Sequence, residues 1–297
     1  MRATASTLAI AIAFLVSLKA VHQPATPARP RITGISHVAF RVSDAAAARK
    51  FYGGVLGLTE HAAPDGSRIT FSIGNRQRVM LESGLRAEDE ERLAHLAFET
   101  SDIKALGAYL ASRGVLPPEG GRSSAAMPPC DPSAIRVTDP DGHPIEFVEA
   151  RWPPGQPTPD PAGAISRRLL HAGLTIRDEE AAHRFYRDTL GFSEIWRGGR
   201  KEGATQWVNM RLPDGTDYLE YMLIAAGPDR RQRGVLHHAA LMVSDMQDAW
   251  EEAVRRSPDR PQTRLSPPQV GVNGRWQLNL FDPDGTRIEL MEPFRVR

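Results

Sequence analysis

The chain has 297 residues, with 37 lysines and arginines against 36 aspartates and glutamates. That length allows one large or two ordinary domains with real cores. The near-even charge points to neither nucleic acid nor an acidic membrane surface as a partner, and the one cysteine, Cys130, excludes an internal disulfide.

Residues 1–20 place Arg2 before the apolar run Leu8–Leu18, followed by Lys19 and Ala20. The run is short for a bilayer span, which takes about 20 apolar residues. It reads as a secretory signal peptide with cleavage after Ala20, so the protein is expected to be exported, periplasmic or secreted. Left uncleaved, the segment would act as a membrane anchor, the one way a membrane enters this reading. Residues 21–31 form a Pro-rich tether, too polar and Pro-broken to pack.

From there a histidine opens an alternating apolar stretch four times, with an aspartate seven residues on: His37/Asp44, His95/Asp102, His171/Asp178 and His238/Asp245. In the first module His37–Val42 reads as a strand with His37, Ala39 and Arg41 on one face. Asp44 caps a helix carrying Ala48, Phe51, Tyr52 and Val55, which stops at Gly57. Two or three short strands follow, including Ile69–Ile73 and Val79–Glu82. The second module runs from His95 through a Pro-rich stretch (114–134), where Cys130 reads as an ordinary thiol, to DPDGHPIE (139–146).

A linker with five prolines, within 151–165, forbids helix and central strand alike. The third module then repeats the first: His171, Asp178, Phe185-Tyr186, Gly191, and strands at Thr205–Arg211 and Tyr218–Leu223. The fourth repeats the second, from His238 through a Pro-rich stretch (257–275) to DPDGTRIE (282–289). His37 and His171 stand 134 residues apart, as do FYGGVLGL and FYRDTLGF; His95 and His238 stand 143 apart, as do the two DPDG turns. Half the protein has been duplicated. A βαβββ unit cannot bury its sheet face alone, so modules one and two should pair, and three and four. The expected class is α+β, with four βαβββ modules in two half-barrels, domain one at 32–150 and domain two at 166–297.

HVAFRVSD…FYGGVLGL and HHAALMVSD…FDPDGTRIEL resemble the vicinal oxygen chelate superfamily of glyoxalases, extradiol dioxygenases, epimerases and antibiotic-resistance proteins. The resemblance covers residues 34–293 and implies a metal inside each half-barrel. Carried over position by position, the ligands would be His37, Glu82, His95 and Glu146 in domain one, and His171, Glu220, His238 and Glu289 in domain two. Imidazoles with carboxylates suit a divalent Fe, Mn, Ni, Co or Zn ion with positions left open. His237 falls on the opposite strand face, and the spacing to Asp245 selects His238. The Asp44-type aspartates read as helix caps, the DPDG turns as turns that place the last strand, and Arg230, Arg231 and Arg233 as a solvated loop. Glu149 and Glu292 read as outward-facing.

Three functions follow from the resemblance, all on a small molecule. The leading one is glyoxalase-like lyase or isomerase chemistry, with a metal-stabilised enediolate and Glu220 or Glu289 as base. It is supported by the intervals in domain two, and by Arg41, which stands where glyoxalase I has a substrate-holding arginine; Thr175 holds that position in domain two. Arg86 and Ile224 replace an expected asparagine, which argues against a glutathione adduct as substrate. The alternative is a two-domain extradiol dioxygenase with iron on His171, His238 and Glu289. Against it, Asn279 stands where the tyrosine of such enzymes is expected (Arg136 in domain one), and no histidine follows His238. The third is a non-catalytic small-ligand-binding protein. Domain two is expected to be the active one.

Overall fold

The computed structural model describes residues 27–62, 68–89, 91–116, 133–149, 163–225, 227, 229–257 and 266–296. The proposed signal segment, most of the tether and linker, most of the first Pro-rich stretch with Cys130, and the first half of the second stretch lie outside them. Among the described residues no helix is long and apolar enough to cross a membrane.

Module one runs β1 (Ile32–Val42), α1 (Ala45–Arg49), then β2 (Thr59–Ala62), β3 (Arg68–Ile73) and β4 (Gln77–Ser83). Module two runs β5 (Leu93–Thr100), α2 (Ile103–Ser112), β6 (Ile135–Thr138) and β7 (Pro144–Glu149). These seven strands form one mixed sheet in the order β2-β3-β4-β1-β5-β7-β6. Module three supplies β8 (Leu169–Ile176), α3 (Glu179–Ala182), β9 (Ser193–Gly198), β10 (Trp207–Arg211) and β11 (Tyr218–Leu223). A short helix α4 (Arg230–Leu236) leads into module four: β12 (His238–Met242), α5 (Met246–Arg256), β13 (Gln269–Val270), β14 (Arg275–Phe281) and β15 (Arg287–Arg295). The second sheet is ordered β13-β14-β15-β12-β8-β11-β10-β9. Modules therefore pair one with two and three with four, as expected, and the fold is α+β.

The repeat's aspartates do what the sequence predicts. Asp44, Asp102, Asp178 and Asp245 each accept a backbone N–H from the first turn of α1, α2, α3 and α5. Helices α1 and α3 widen into π-type turns over Lys50–Val55 and His183–Thr189. Those turns carry buried Phe51, Tyr52 and Val55, and their counterparts Phe185 and Tyr186. Gly57 and Gly191 then adopt φ of 67° and 81°, where a side chain would be strained.

Strands β1 and β8 are buried on both faces. On β1, Val38, Phe40 and Val42 face the hydrophobic core and the alternate residues, His37 and Ala39 among them, face the sheet's other side. The core is continuous between the halves: Phe98 of domain one meets Phe192 of domain two edge-on, with ring centroids 5.4 Å apart.

The DPDG turns do more than turn. Asp139 and Asp282 close their loops as expected, but each also reaches the other domain. The Tyr186 hydroxyl donates to Asp139 Oδ2 at 2.9 Å and the Tyr52 hydroxyl to Asp282 Oδ2 at 3.2 Å. The second aspartates match: Asp141 accepts from Arg177 Nε at 2.8 Å and Asp284 from the Ser43 hydroxyl at 2.6 Å. Two copies of one clasp thus lock the halves. The described end of the tether also packs, since Arg29 pairs with Asp214 at 2.9 Å.

The arginine segment differs from the expected loop. Asp229 and Gln232 form a reciprocal capping box, so the segment becomes helix α4. Its Arg233 pairs with Glu91 of domain one at 3.3 Å.

Candidate metal centres

Register explains why four distant residues meet in domain two. β8 is flanked by β11 and β12, with Tyr218 opposite His171, and with both Glu220 and His238 opposite Gly173. Beyond β12, Glu289 of β15 stands opposite Ala240, itself opposite His171. All four ligand candidates project from one face and are buried.

The two Nε2 atoms of His171 and His238 are 3.0 Å apart. Glu289 Oε2 lies 3.4 and 3.5 Å from them, and Glu220 Oε2 lies 3.7 and 3.5 Å from them. Ligand bonds of about 2.1 Å around one ion give donor separations of roughly 3.0 to 3.4 Å, so this set fits a divalent metal. His238 Nδ1 is 2.7 Å from the Leu236 carbonyl, which can only accept; the ring proton belongs there, and the Nε2 lone pair faces the centre. Tyr218 stacks on His171 at 4.5 Å, and burial pushes its hydroxyl pKa well up, so it stays protonated.

Charge gives the same answer. Glu220 and Glu289 are 6% and 3% exposed, and among the described residues neither has a lysine or arginine ion pair. Burial alone would raise both carboxyl pKa values, but the facing histidines, joined at Glu289 by Arg287, outweigh it and hold them low. Burial lowers the His171 pKa, keeping its imidazole in the neutral, ligating form, while against burial Glu220 and Glu289 raise that of His238. One imidazole does not offset two buried carboxylates, and a divalent cation in its proton's place would.

Domain one brings together His37, His95 and Glu146, with His37 and His95 Nε2 2.9 Å apart and His95 Nε2 3.6 Å from Glu146 Oε2. Glu82 is not part of that group: it lies 3.7 Å from Nδ1 of His95, the other ring nitrogen. Arg136 already supplies the cation, donating from Nε to Glu146 Oε1 at 2.8 Å and again from Nη2. Burial, then His37 and Arg136, drive the His95 pKa down to about 2. The three groups are placed to hold an ion, but their carboxylate is already paired with an arginine, as neither of domain two's is. At the matching register position, opposite Glu289 as Arg136 is opposite Glu146, domain two has Asn279.

Arg41 donates to the Glu91 and Leu93 carbonyls at 3.3 Å. Glu149 is exposed as expected, but Glu292 is half-buried and accepts the Met246 N–H at the start of α5. His237 does face away from the metal centre, into a buried chain across the domain boundary. Asp139 holds His143 Nδ1 at 2.8 Å, His143 Nε2 is 3.3 Å from Thr175 Oγ1, and Thr175 Oγ1 is 2.8 Å from His237 Nε2. His237 Nδ1 ends the chain on Glu91 at 2.8 Å.

The domain-two centre opens into a cavity of about 380 Å³, whose lining adds Trp196, Trp207, Arg200, Asn279 and Arg287 to the two glutamates. Trp196 stands opposite Asn209, which stands opposite Glu220, so strand parity puts both tryptophans on the glutamate's face. Sequence reasoning did not single out the tryptophans, Arg200 or Arg287. For Arg287 the signal was there, two residues before Glu289 on the same strand.

Two paired half-barrels of βαβββ modules, with a buried His/Glu centre in the second, define a two-domain vicinal oxygen chelate protein. The family model for the glyoxalase/bleomycin resistance protein/dioxygenase superfamily matches residues 34–147 and 168–290, and the chain belongs to that superfamily. It is 26% identical over 227 residues to biphenyl-2,3-diol 1,2-dioxygenase of Metapseudomonas furukawaii, covering 73% of this chain and 72% of that protein. It is 24% identical over 131 residues to the uncharacterized protein YwbC of Bacillus subtilis (strain 168), covering 43% of this chain and 99% of that one. Among solved structures, the 2,3-dioxygenase LapB of Pseudomonas sp. KL28 superposes with a TM-score of 0.64 at 17% identity, over 89% of this chain and 93% of that one. A variant of homoprotocatechuate 2,3-dioxygenase from B. fuscum gives 0.64 at 24% identity, over 92% and 74%.

Proposed function

We propose that the protein is an extradiol-type dioxygenase, using a divalent metal in domain two to act on a small aromatic molecule with adjacent hydroxyls. The observation that carries this reading is the buried His171, His238, Glu289 and Glu220 set opening into a cavity. It stands in a chain that resembles dioxygenases across both domains. The glyoxalase-like lyase, the leading expectation from sequence, draws no specific support from the relatives.

His171, His238 and Glu289 would hold the ion, which when bound supplies Lewis acidity and open positions for neighbouring substrate oxygens. The chain does the rest. Leu236 orients His238 through its carbonyl, and Tyr218 packs His171 in place. Glu220, kept ionised, takes the proton of a substrate hydroxyl. Asn279 offers its amide where ring-cleaving relatives are expected to carry tyrosine.

Full-length protein reconstituted with Fe(II) is assayed for oxygen consumption on catechol and 2,3-dihydroxybiphenyl. Uptake is expected in the wild type and is lost in Glu289→Ala. Stoichiometric metal with no oxygen uptake on any vicinal diol would overturn the oxygenase reading in favour of a binding protein; absence of metal would overturn both.

A further inference from the structure

The domain-two cavity carries two charges of opposite sign at different depths. Glu220 and Glu289 lie at its buried end. Of the arginines on the same lining, Arg200 is exposed and Arg287 half-buried. A metal would account for the carboxylates; beyond the charge that Arg287 turns on Glu289, nothing accounts for the guanidiniums. Among the described residues, neither arginine forms an ion pair with a carboxylate. Arg287 Nη2 is 2.7 Å from His238 Nδ1, the same nitrogen that lies 2.7 Å from the Leu236 carbonyl, so one ring nitrogen cannot serve both and the guanidinium keeps donors to spare. Arg287 Nε is buried with no hydrogen-bond partner, and so is Asn279 Oδ1. Arg200 lies 5.9 Å from the Trp207 ring centroid, a contact that holds the group without neutralising it.

We infer that the substrate of this site is a carboxylate-bearing aromatic diol, its carboxylate bound by Arg200 and Arg287 and its ring set against Trp196 and Trp207. Arginine is suited to this, because its planar fork meets a carboxylate with two parallel hydrogen bonds. A cavity of about 380 Å³ falls within the usual range for small-molecule sites, roughly 300–1,000 Å³. The unpartnered Asn279 oxygen accepts a hydroxyl proton that the ring presents toward the buried end.

This inference rests on the metal-centre reading above, and the test separates the two. Full-length protein loaded with Zn(II), which is redox-silent, is titrated with 3,4-dihydroxybenzoate and with catechol, following tryptophan fluorescence and heat. The wild type is expected to bind the carboxylated ligand at least about tenfold more tightly than catechol, the scale of one charged hydrogen-bonded pair. In Arg200→Met that ratio should fall below about three. Equal affinities in the wild type, or a full ratio retained in both Arg200→Met and Arg287→Met, would overturn the inference and leave the metal centre standing. Failure of the protein to take up Zn(II) would remove the metal-centre reading and this inference with it, whereas failure of both ligands to bind the loaded protein would overturn this inference and the diol substrate alone. Arg200 is exposed, so its replacement leaves the fold intact, which circular dichroism checks.

Discussion

Gly173 on β8 stands opposite His238 on β12, and a Cβ on that glycine would overlap the His238 ring and lie 2.9 Å from the Leu236 carbonyl oxygen. The missing side chain is the space in which the imidazole turns its Nε2 inward. Domain one has Ala39 at this position, two residues after its own first histidine. Gly173→Ala is therefore expected to displace His238 and weaken metal binding at least tenfold. The overpacking should cost about 1–3 kcal/mol of stability. Equilibrium dialysis against Zn(II) and a urea titration check the two effects separately; unchanged affinity would mean the ring is not placed by this gap.

The Arg136/Asn279 difference predicts stoichiometry. One metal per chain is expected for the wild type by elemental analysis, and none for His238→Ala combined with Glu289→Ala. Arg136→Asn strips Glu146 of its guanidinium partner, and breaking such a buried pair costs about 3–5 kcal/mol. Zn(II) should restore much of that loss and raise the count to two. Two metals in the wild type would show that the arginine does not close the first centre.

How much of this was legible follows from the kind of contact. His37, His95, His171 and His238 were visible because strand parity and a fixed offset to a helix cap are local, repeated features. The four capping aspartates were visible for the same reason. The clasp of Tyr52 on Asp282 and Tyr186 on Asp139 was not, because it depends on how the two sheets face each other, which no spacing encodes. Arg136 was noticed only as a departure from an expected tyrosine; its ion pair with Glu146 needed the β6–β7 register. Helix α4 was missed because its capping box was hidden in a run of arginines that suggested solvent.

The clasp has an acid-base asymmetry that sets a pH dependence. Asp139 is held low because, against burial, it accepts from His143; Asp282 has Thr286 in the equivalent place and no cation. Burial, with Asp284 nearby, pushes Asp282 from 3.8 up to about 6. A carboxyl whose pKa rises on folding holds its proton more tightly in the native state, so it favours the fold at low pH. That contribution is lost as pH rises from about 4 through about 6, and the difference corresponds to about 3 kcal/mol. Asp282→Asn keeps the turn's acceptor oxygen and should be more stable than wild type at pH 7, with the gap closing toward pH 4. Thermal unfolding across that range decides it; a gap that widens at low pH reverses the assignment.

Thr175 holds in domain two the position that Arg41 holds in domain one, and both are engaged within the protein. Arg41 is spent on two backbone carbonyls, while Thr175 links His143 to His237. Burial works against charge on both imidazoles, and only for His143 does Asp139 overcome it. His143 therefore donates from Nε2 to the threonine oxygen, and the threonine hydroxyl donates to Nε2 of neutral His237, whose Nδ1–H donates to Glu91. Every group in the chain is satisfied in that one order. Thr175→Val keeps the shape but removes both hydrogen bonds, leaving two buried ring nitrogens without partners, at a cost of about 2–4 kcal/mol. Thr175→Ser should cost under about 1.5 kcal/mol, because the hydroxyl remains. Urea titrations of both variants test this. Equal losses in the two would mean that the methyl packing, and not the hydrogen-bonded chain, holds the domains together here.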